Sequence, residues 1–417
     1  MMEHAENVQP IVPDINALSS DIDTAFSLQS NEFQAAFGEK VNEALNIEGW
    51  QEGENLGAMY QSLEQQVVEA VEQGGRIRER VRAELFPHVF EHPQAPKQAG
   101  CYQVDTAAIE HIHRGLLFNG GVEACDGTSL VHDTVPVTIA QIGVSLVSYQ
   151  GNHGTWVHRL FRRDLRVSGL DPIAEAIALL ERRQLRGSTD AQSTRDRLSD
   201  FTQRGIMAYA ERAILLHKSQ ASWRMGHGHA VPYELLTGGG LVLDNDMPLL
   251  RRSMEMWRAL LEQHRRWVFV TSAPADRVLL TLGDALYPLE YALVGTPLQS
   301  MRDIANGHLP ERTRLKADTK AFVEEVGPQI VTGIYRASAH APVRLFYAHR
   351  DFAHIAALIA LADSVLQEHR GFPMLIDLAD LTCRTTFGAD TFRNMIQQAY
   401  AEAGTPFRYL GERETRG

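Results

Sequence analysis

Hydrophobic positions along this chain follow two periods, and the switch between them marks out the elements. Between residues 25 and 86 the sequence is rich in Glu, Gln, Ala and Leu, and Leu63, Val67 and Val71 recur at helical spacing. Gly53, Gly57, Gly74 and Gly75 divide that stretch. The pattern predicts a helical N-terminal region over 1–95, of a kind that packs or docks rather than catalyses. Residues 88–100 hold Pro93, Pro96 and Gly100 and read as a linker into a main domain over 96–417.

The texture then changes. Residues 134–149 (TVPVTIAQIGVSLVSY) are dense in Val, Ile and Thr, which is strand composition. A Gly-Asn-His-Gly turn at 151–154 and a returning strand at 155–165 complete an antiparallel meander that opens near 121–126. Helical patterns follow at 172–183 and 195–218, with a polar loop at 186–194 between them. A strand is predicted at 231–237, ended by Gly238, Gly239 and Gly240. A helix over 247–264 and a short buried strand over 267–271 come next, then a less regular middle. Residues 343–348 read as a strand, 352–369 and 390–404 as helices, and 374–378 as the start of either element. A meander followed by alternating helices and strands predicts an α/β fold: a ribonuclease H-like mixed β-sheet flanked by helices.

Composition narrows the function classes. The chain has 417 residues, 44% of them hydrophobic, enough for one large domain and an attached region. No apolar run approaches about 18 residues, and the N-terminus lacks the basic and apolar regions of a secretory signal. Cys101, Cys125 and Cys383 have neither the number nor the spacing for a disulfide framework or a zinc site, so a cytoplasmic setting is expected. The net charge of -12 is unusual for a protein that grips nucleic acid alone. Either acids gather around metal ions, or a partner supplies much of the grip.

Four acidic positions could carry chemistry. Asp126 sits in Ala-Cys-Asp-Gly-Thr, where the following glycine permits a sharp turn at the mouth of a sheet; an Asp-Gly turn between strands gives the same string. Glu211 lies mid-helix between apolar residues, and a solvated or Arg-paired helix face explains it equally. Glu234 interrupts an apolar strand, where a charge is costly unless paired, metal-bound or turned to water at an edge. Asp377 and Asp380, three apart, can share one side of a helical turn or simply mark a helix start. His227 and His229 could touch a metal but read better as loop residues, since strict ligand spacing is missing. Carboxylates suit Mg²⁺ or Mn²⁺, and a pair of such ions can stabilise both oxygens of a phosphodiester displacement. Neither a phosphate-binding Walker loop, nor a nucleophile elbow, nor a dinucleotide fingerprint is present.

The order of these pieces resembles the NurA nuclease family, over roughly 122–403. In that family an Asp-Gly-Ser motif closes the first strand, a glutamate lies on a following helix, a second Asp-Gly closes a later strand, and a Pro-containing C-terminal motif brings in a histidine. Asp126-Gly127-Thr128 matches the first and Glu211 the second. The 232–238 strand stands in the third place with Glu234 as the nearest acid, although Thr237 directly precedes the glycine. Residues 371–380 look like the fourth, with Asp380 where histidine is usual. Asp244, Asp246 and Asp377 are reserve candidates.

The resemblance implies a metal-dependent deoxyribonuclease, loaded with Mn²⁺ or Mg²⁺ on Asp126, Glu211 and Glu234, with Asp380 or Asp377 as a further ligand or water-orienting group. It implies a homodimer that docks on a HerA-like hexameric ATPase and serves DNA end processing and repair or anti-phage defence. Two departures from the family pattern also leave open a non-catalytic adaptor that caps such a motor. Basic groups at His158-Arg159, Arg162-Arg163, Arg166, Arg182-Arg183, Arg186 and Arg251-Arg252 read as phosphate contacts or as solvated faces, and Lys218, two turns beyond Glu211, as a phosphate contact.

Overall fold

The structure, a computed structural model, describes residues 33–406 apart from 36, 51–55, 134–136, 164–172, 175–176, 178–180, 182–199, 238–240, 242–245, 273–275 and 308–313. Most of helix 172–183, the polar loop 186–194, the triple glycine, Asp244 and the side chains of Arg162, Arg163, Arg166, Arg182, Arg183 and Arg186 therefore lie outside the described residues. The chain divides into two compact units, Met1–Gly75 and Arg76–Gly417. In the first, the helix Val41–Ala44 precedes most of helix α1 (Leu56–Arg80), whose Tyr60, Leu63, Val67 and Val71 are exposed.

The second unit is built on one nine-stranded sheet. Its strands are β1 (Gly100–Gln103), β2 (Val122–Asp133), β3 (Val137–Ser148), β4 (Gly151–Arg163), β5 (Trp223–His227), β6 (Trp267–Val270), β7 (Glu290–Gly295), β8 (Ile330–Arg336) and β9 (Arg344–His349), in the order β1-β7-β8-β9-β6-β5-β2-β3-β4. The β2–β3–β4 meander is antiparallel, β5 adds parallel to β2, and β6 parallel to β5. A meander extended by two parallel strands is the ribonuclease H-like arrangement expected from the sequence, and β9, β8, β7 and β1 continue it antiparallel.

Helices cover both faces, because successive strand residues point to opposite sides. Along β6, Trp267 and Phe269 enter one apolar cluster while Val268 and Val270 enter another. The first cluster is closed by α3 (Asp200–His217), α4 (Tyr233–Thr237), α5 (Pro248–Gln263), α6 (Arg277–Asp284), α7 (Leu298–Gly307) and α8 (Arg314–Val326). The second is closed by α2 (Thr106–Ile112), α9 (Ala353–Val365) and α10 (Met374–Phe387), and α11 (Ala389–Glu402) follows. Two glycines let this layering close. A β-carbon at Gly226 would lie 2.3 Å from the Phe269 ring, and one at Gly143 would lie 2.7 Å from the Phe387 ring of α10.

Several expectations change. Asp126-Gly127 is no turn: β2 runs through it to Asp133, held by a ladder to β3. The 151–154 segment is the start of β4 rather than a turn, the chain reversing at Tyr149 and Gln150. The 231–237 segment is not a strand. Pro232 accepts the Leu235 amide at 3.0 Å and starts α4 there, so local turn bonding overrides the apolar run. The strand of that region lies earlier, at β5, whose Trp-Arg-Met-Gly-His sequence lacks β-branched residues.

Candidate active site

Strand β2 sets the site. Its parallel pairing with β5 ends at Cys125 opposite Gly226, while its ladder with β3 continues through Asp126 opposite Ser145. Beyond Cys125 the sheet therefore opens a gap beside β2, and a cavity of about 480 Å³ lies there. Asp126, Glu211, Asp377 and Asp380 all line it. They come from one strand and two helices, one on each face of the sheet.

Gly127 makes this convergence possible. A β-carbon there would stand 2.7 Å from Oε1 of Glu211 and 2.8 Å from Met207 Cγ. Glu211 on α3 is buried, and Arg212 beside it donates to Oε2 at 2.5 Å. The same guanidinium donates to the carbonyls of Ala208, His227 and His229 at 3.0, 3.0 and 3.1 Å, which fixes the turn after β5 around it. Burial above all, aided by the nearby charge of Asp126, holds the Glu211 carboxyl above its ordinary range against the pull of Arg212.

Asp126 accepts from the Gly127 amide at 2.9 Å and faces Nδ1 of His227 at 3.4 Å. Burial disfavours the imidazolium, but the hydrogen bond and charge of Asp126 outweigh it and raise the His227 pKa. Nε2 of His227 meets Ser272 Oγ at 3.0 Å. Asp380 pairs with Arg384 at 2.9 Å, and burial followed by the charge of Asp126 raises its carboxyl. Asp377 is held by Gln367 at 2.6 Å and by Arg370.

The other predicted residues fall elsewhere. Glu234 on α4 is 1% exposed and does not line the cavity; it lies near Gly205 of α3 and, among the described residues, finds no hydrogen-bond partner beyond its own backbone N–H. Burial pushes it up to about 7. His229 does line the cavity, but its Nδ1 is engaged by Tyr347 OH at 2.8 Å, and burial with the Arg212 charge lowers it to about 4. Lys218 is exposed past the end of α3, outside the cavity wall. Asp246 pairs with Arg251 at 2.7 Å, also outside it.

Sequence reading missed the cations of the site. Arg204, Arg212, Arg344, Arg370 and Arg384 line the cavity, and none belongs to the basic clusters the sequence displays. Arg204 and Arg212 stand eight residues apart on α3 and the other three arrive from elsewhere in the chain, so no local charge run signals them. A larger cavity of about 780 Å³ lies near 88–98 and the end of β7, but among the described residues Asp351 is its one carboxylate.

All the acids here are oxygen donors, which suits a hard divalent cation. As they stand, Arg212 and Arg384 neutralise two of them, and among the described residues no three ligating groups draw close enough to enclose an ion. Each pair engages one oxygen of its carboxylate, Oε2 of Glu211 and Oδ1 of Asp380.

No family model and no curated protein matches the chain. Among solved structures it is similar to the NurA nuclease from Sulfolobus solfataricus, at 10% identity and a TM-score of 0.42, covering 82% of this chain and 98% of that one. It is similar to NurA with manganese at 9% identity and a TM-score of 0.40, with the same coverage. It is also similar to Ciona intestinalis Endonuclease V in complex with a DNA 24-mer containing inosine, at 9% identity and a TM-score of 0.26, covering 78% and 98%. Likeness at this level assigns no residue a role, so any role rests on the site itself.

Proposed function

We propose that the chain is a divalent-metal-dependent deoxyribonuclease that hydrolyses phosphodiester bonds at the β2 gap. One observation carries the reading: Asp126, Glu211 and Asp380 face a single cavity that arginines from several elements also enter. Carboxylates suit a cation and guanidinium forks suit phosphate oxygens, so both halves of a phosphodiester site meet in one place.

Asp126, Glu211 and Asp380 would hold Mn²⁺ or Mg²⁺, with Asp377 in reserve. When bound, such an ion lowers the pKa of the attacking water and neutralises the scissile phosphate. The protein's own contributions are positional. Gly127 brings Glu211 against β2, the Arg212 bonds hold the 227–229 turn, and His227 orients Asp126. Arg204, exposed and without an ion pair among the described residues, is free to meet a substrate phosphate. On this reading the net charge of -12 reflects shared labour, with a HerA-like hexameric ATPase gripping the DNA and a homodimer of this chain cutting it, in end processing and repair or in anti-phage defence.

A second reading has a specific observation in its favour. The Glu211–Arg212 and Asp380–Arg384 pairs already satisfy two of the acids, as in a non-catalytic adaptor that keeps the fold and caps a motor. Cleavage of end-labelled linear DNA with Mn²⁺, with and without the ATPase, separates the two. Cutting that is lost in Asp126→Ala supports the nuclease; no cutting under any condition, with intact motor binding, supports the adaptor.

A further inference from the structure

The helix that carries Asp377, Asp380 and Arg384 into the cavity begins without a cap of its own. The residue at its N-cap is Pro373, which has no side-chain acceptor, and no side-chain cap bond forms there. The first amides of a helix need partners, above all when buried. The missing acceptor comes from another helix: Asp363 of α9, wholly buried, accepts the Leu375 N–H at 2.8 Å through Oδ2. Its other oxygen, Oδ1, accepts the hydroxyl of Tyr149. Tyr149 lies at the β3–β4 reversal, four residues after Ser145, the ladder partner of Asp126.

We propose that Asp363, with Tyr149, is a positioning pair for the site: one buried carboxylate fixes both the start of α10 and the end of β3, and so sets Asp380 against Asp126. The inference rests on the nuclease reading for its catalytic half, while the latch itself is a property of the fold. A negative group at a helix N-terminus also suits the helix dipole, which favours this acceptor over a neutral one. A second tie, from Gln367 just past α9 to Asp377, anchors the same first turn. Gly143 lets the far end of α10 press onto β3 through Cys383 and Phe387. The helix is thus located at both ends, and Asp363 is the side chain that caps a backbone amide at its beginning.

The test uses the full chain with Asp363→Asn, which keeps an acceptor but removes the charge, and Tyr149→Phe, which removes one bond. Amide exchange reads the latch: the first turn of α10 should exchange at least about tenfold faster in Asp363→Asn, with α5 unchanged. Cleavage reads the consequence: kcat should fall about tenfold or more with KM little altered, as when an outer partner of a ligand-bearing element is lost. Tyr149→Phe should show both effects in weaker form. Wild-type exchange in α10 overturns the latch, whether or not the protein cuts DNA. Faster exchange with undiminished kcat overturns the positioning role. A wild-type chain that does not cut overturns the catalytic half, and exchange alone then decides the latch.

Discussion

Oε1 of Glu211 lies 2.7 Å from where a β-carbon on Gly127 would stand. The glycine after Asp126 therefore serves the helix packed on the strand rather than a turn. Gly127→Ala should push Glu211 and Met207 off β2 and cut the cleavage rate by about 10- to 100-fold, the usual cost of disturbing a ligand's support. Steady-state rates checked against thermal melting decide it; a variant at the wild-type rate would show that Glu211 need not touch β2.

Arg212 compensates a buried charge. Replacing it with Met leaves Glu211 uncompensated and the carbonyls of His227 and His229 without their donor. Breaking one side of a buried pair costs roughly 3–5 kcal/mol. Arg212→Met should lose stability on that scale in urea denaturation, and Glu211→Gln added to it should restore part of the loss. Additive losses would mean that the two side chains do not act as a pair.

Glu234 gives the fold a pH dependence of definite sign. Its folded pKa of about 7 exceeds the ordinary 4.5, so the native state holds the proton more tightly than the unfolded chain. Its contribution is therefore fully present below about pH 4.5 and is lost as pH rises through about 7, an effect on the order of 3 kcal/mol. Glu234→Gln should melt close to the wild type at pH 5 and clearly above it at pH 8. An equal difference at both pH values would contradict the assignment.

Arg204 is expected to contact substrate phosphate. Arg204→Ala should weaken DNA binding in EDTA and reduce the slope of log affinity against log salt by about 1. An unchanged slope would place the strand elsewhere.

The meander, the ribonuclease H-like class and the helices at Asp200–His217 and Pro248–Gln263 were legible because β-branched runs and 3.6-residue spacing are local signals. Asp126 and Glu211 were picked out by the order of the motifs, since an Asp-Gly turn and a helix-favouring Glu account for each alone. β5 was not, because its burial comes from neighbours on both sides rather than from its composition, and Arg224 within it bonds the carbonyls of Leu215 and Ser219. Glu234 drew attention for a sound reason, the cost of a buried carboxylate. A chain without coordinates does not show which wall that carboxylate faces. The cavity arginines escaped because residues 204 and 384 meet only after folding.

Calorimetric titration of Mn²⁺ into the full chain and its Asp126→Ala and Glu234→Gln variants tests the central claim most directly, because it reads the site without cleavage. The account predicts binding by the wild type, its loss in Asp126→Ala and its retention in Glu234→Gln. Binding that survives Asp126→Ala, or that vanishes in Glu234→Gln alone, would contradict it.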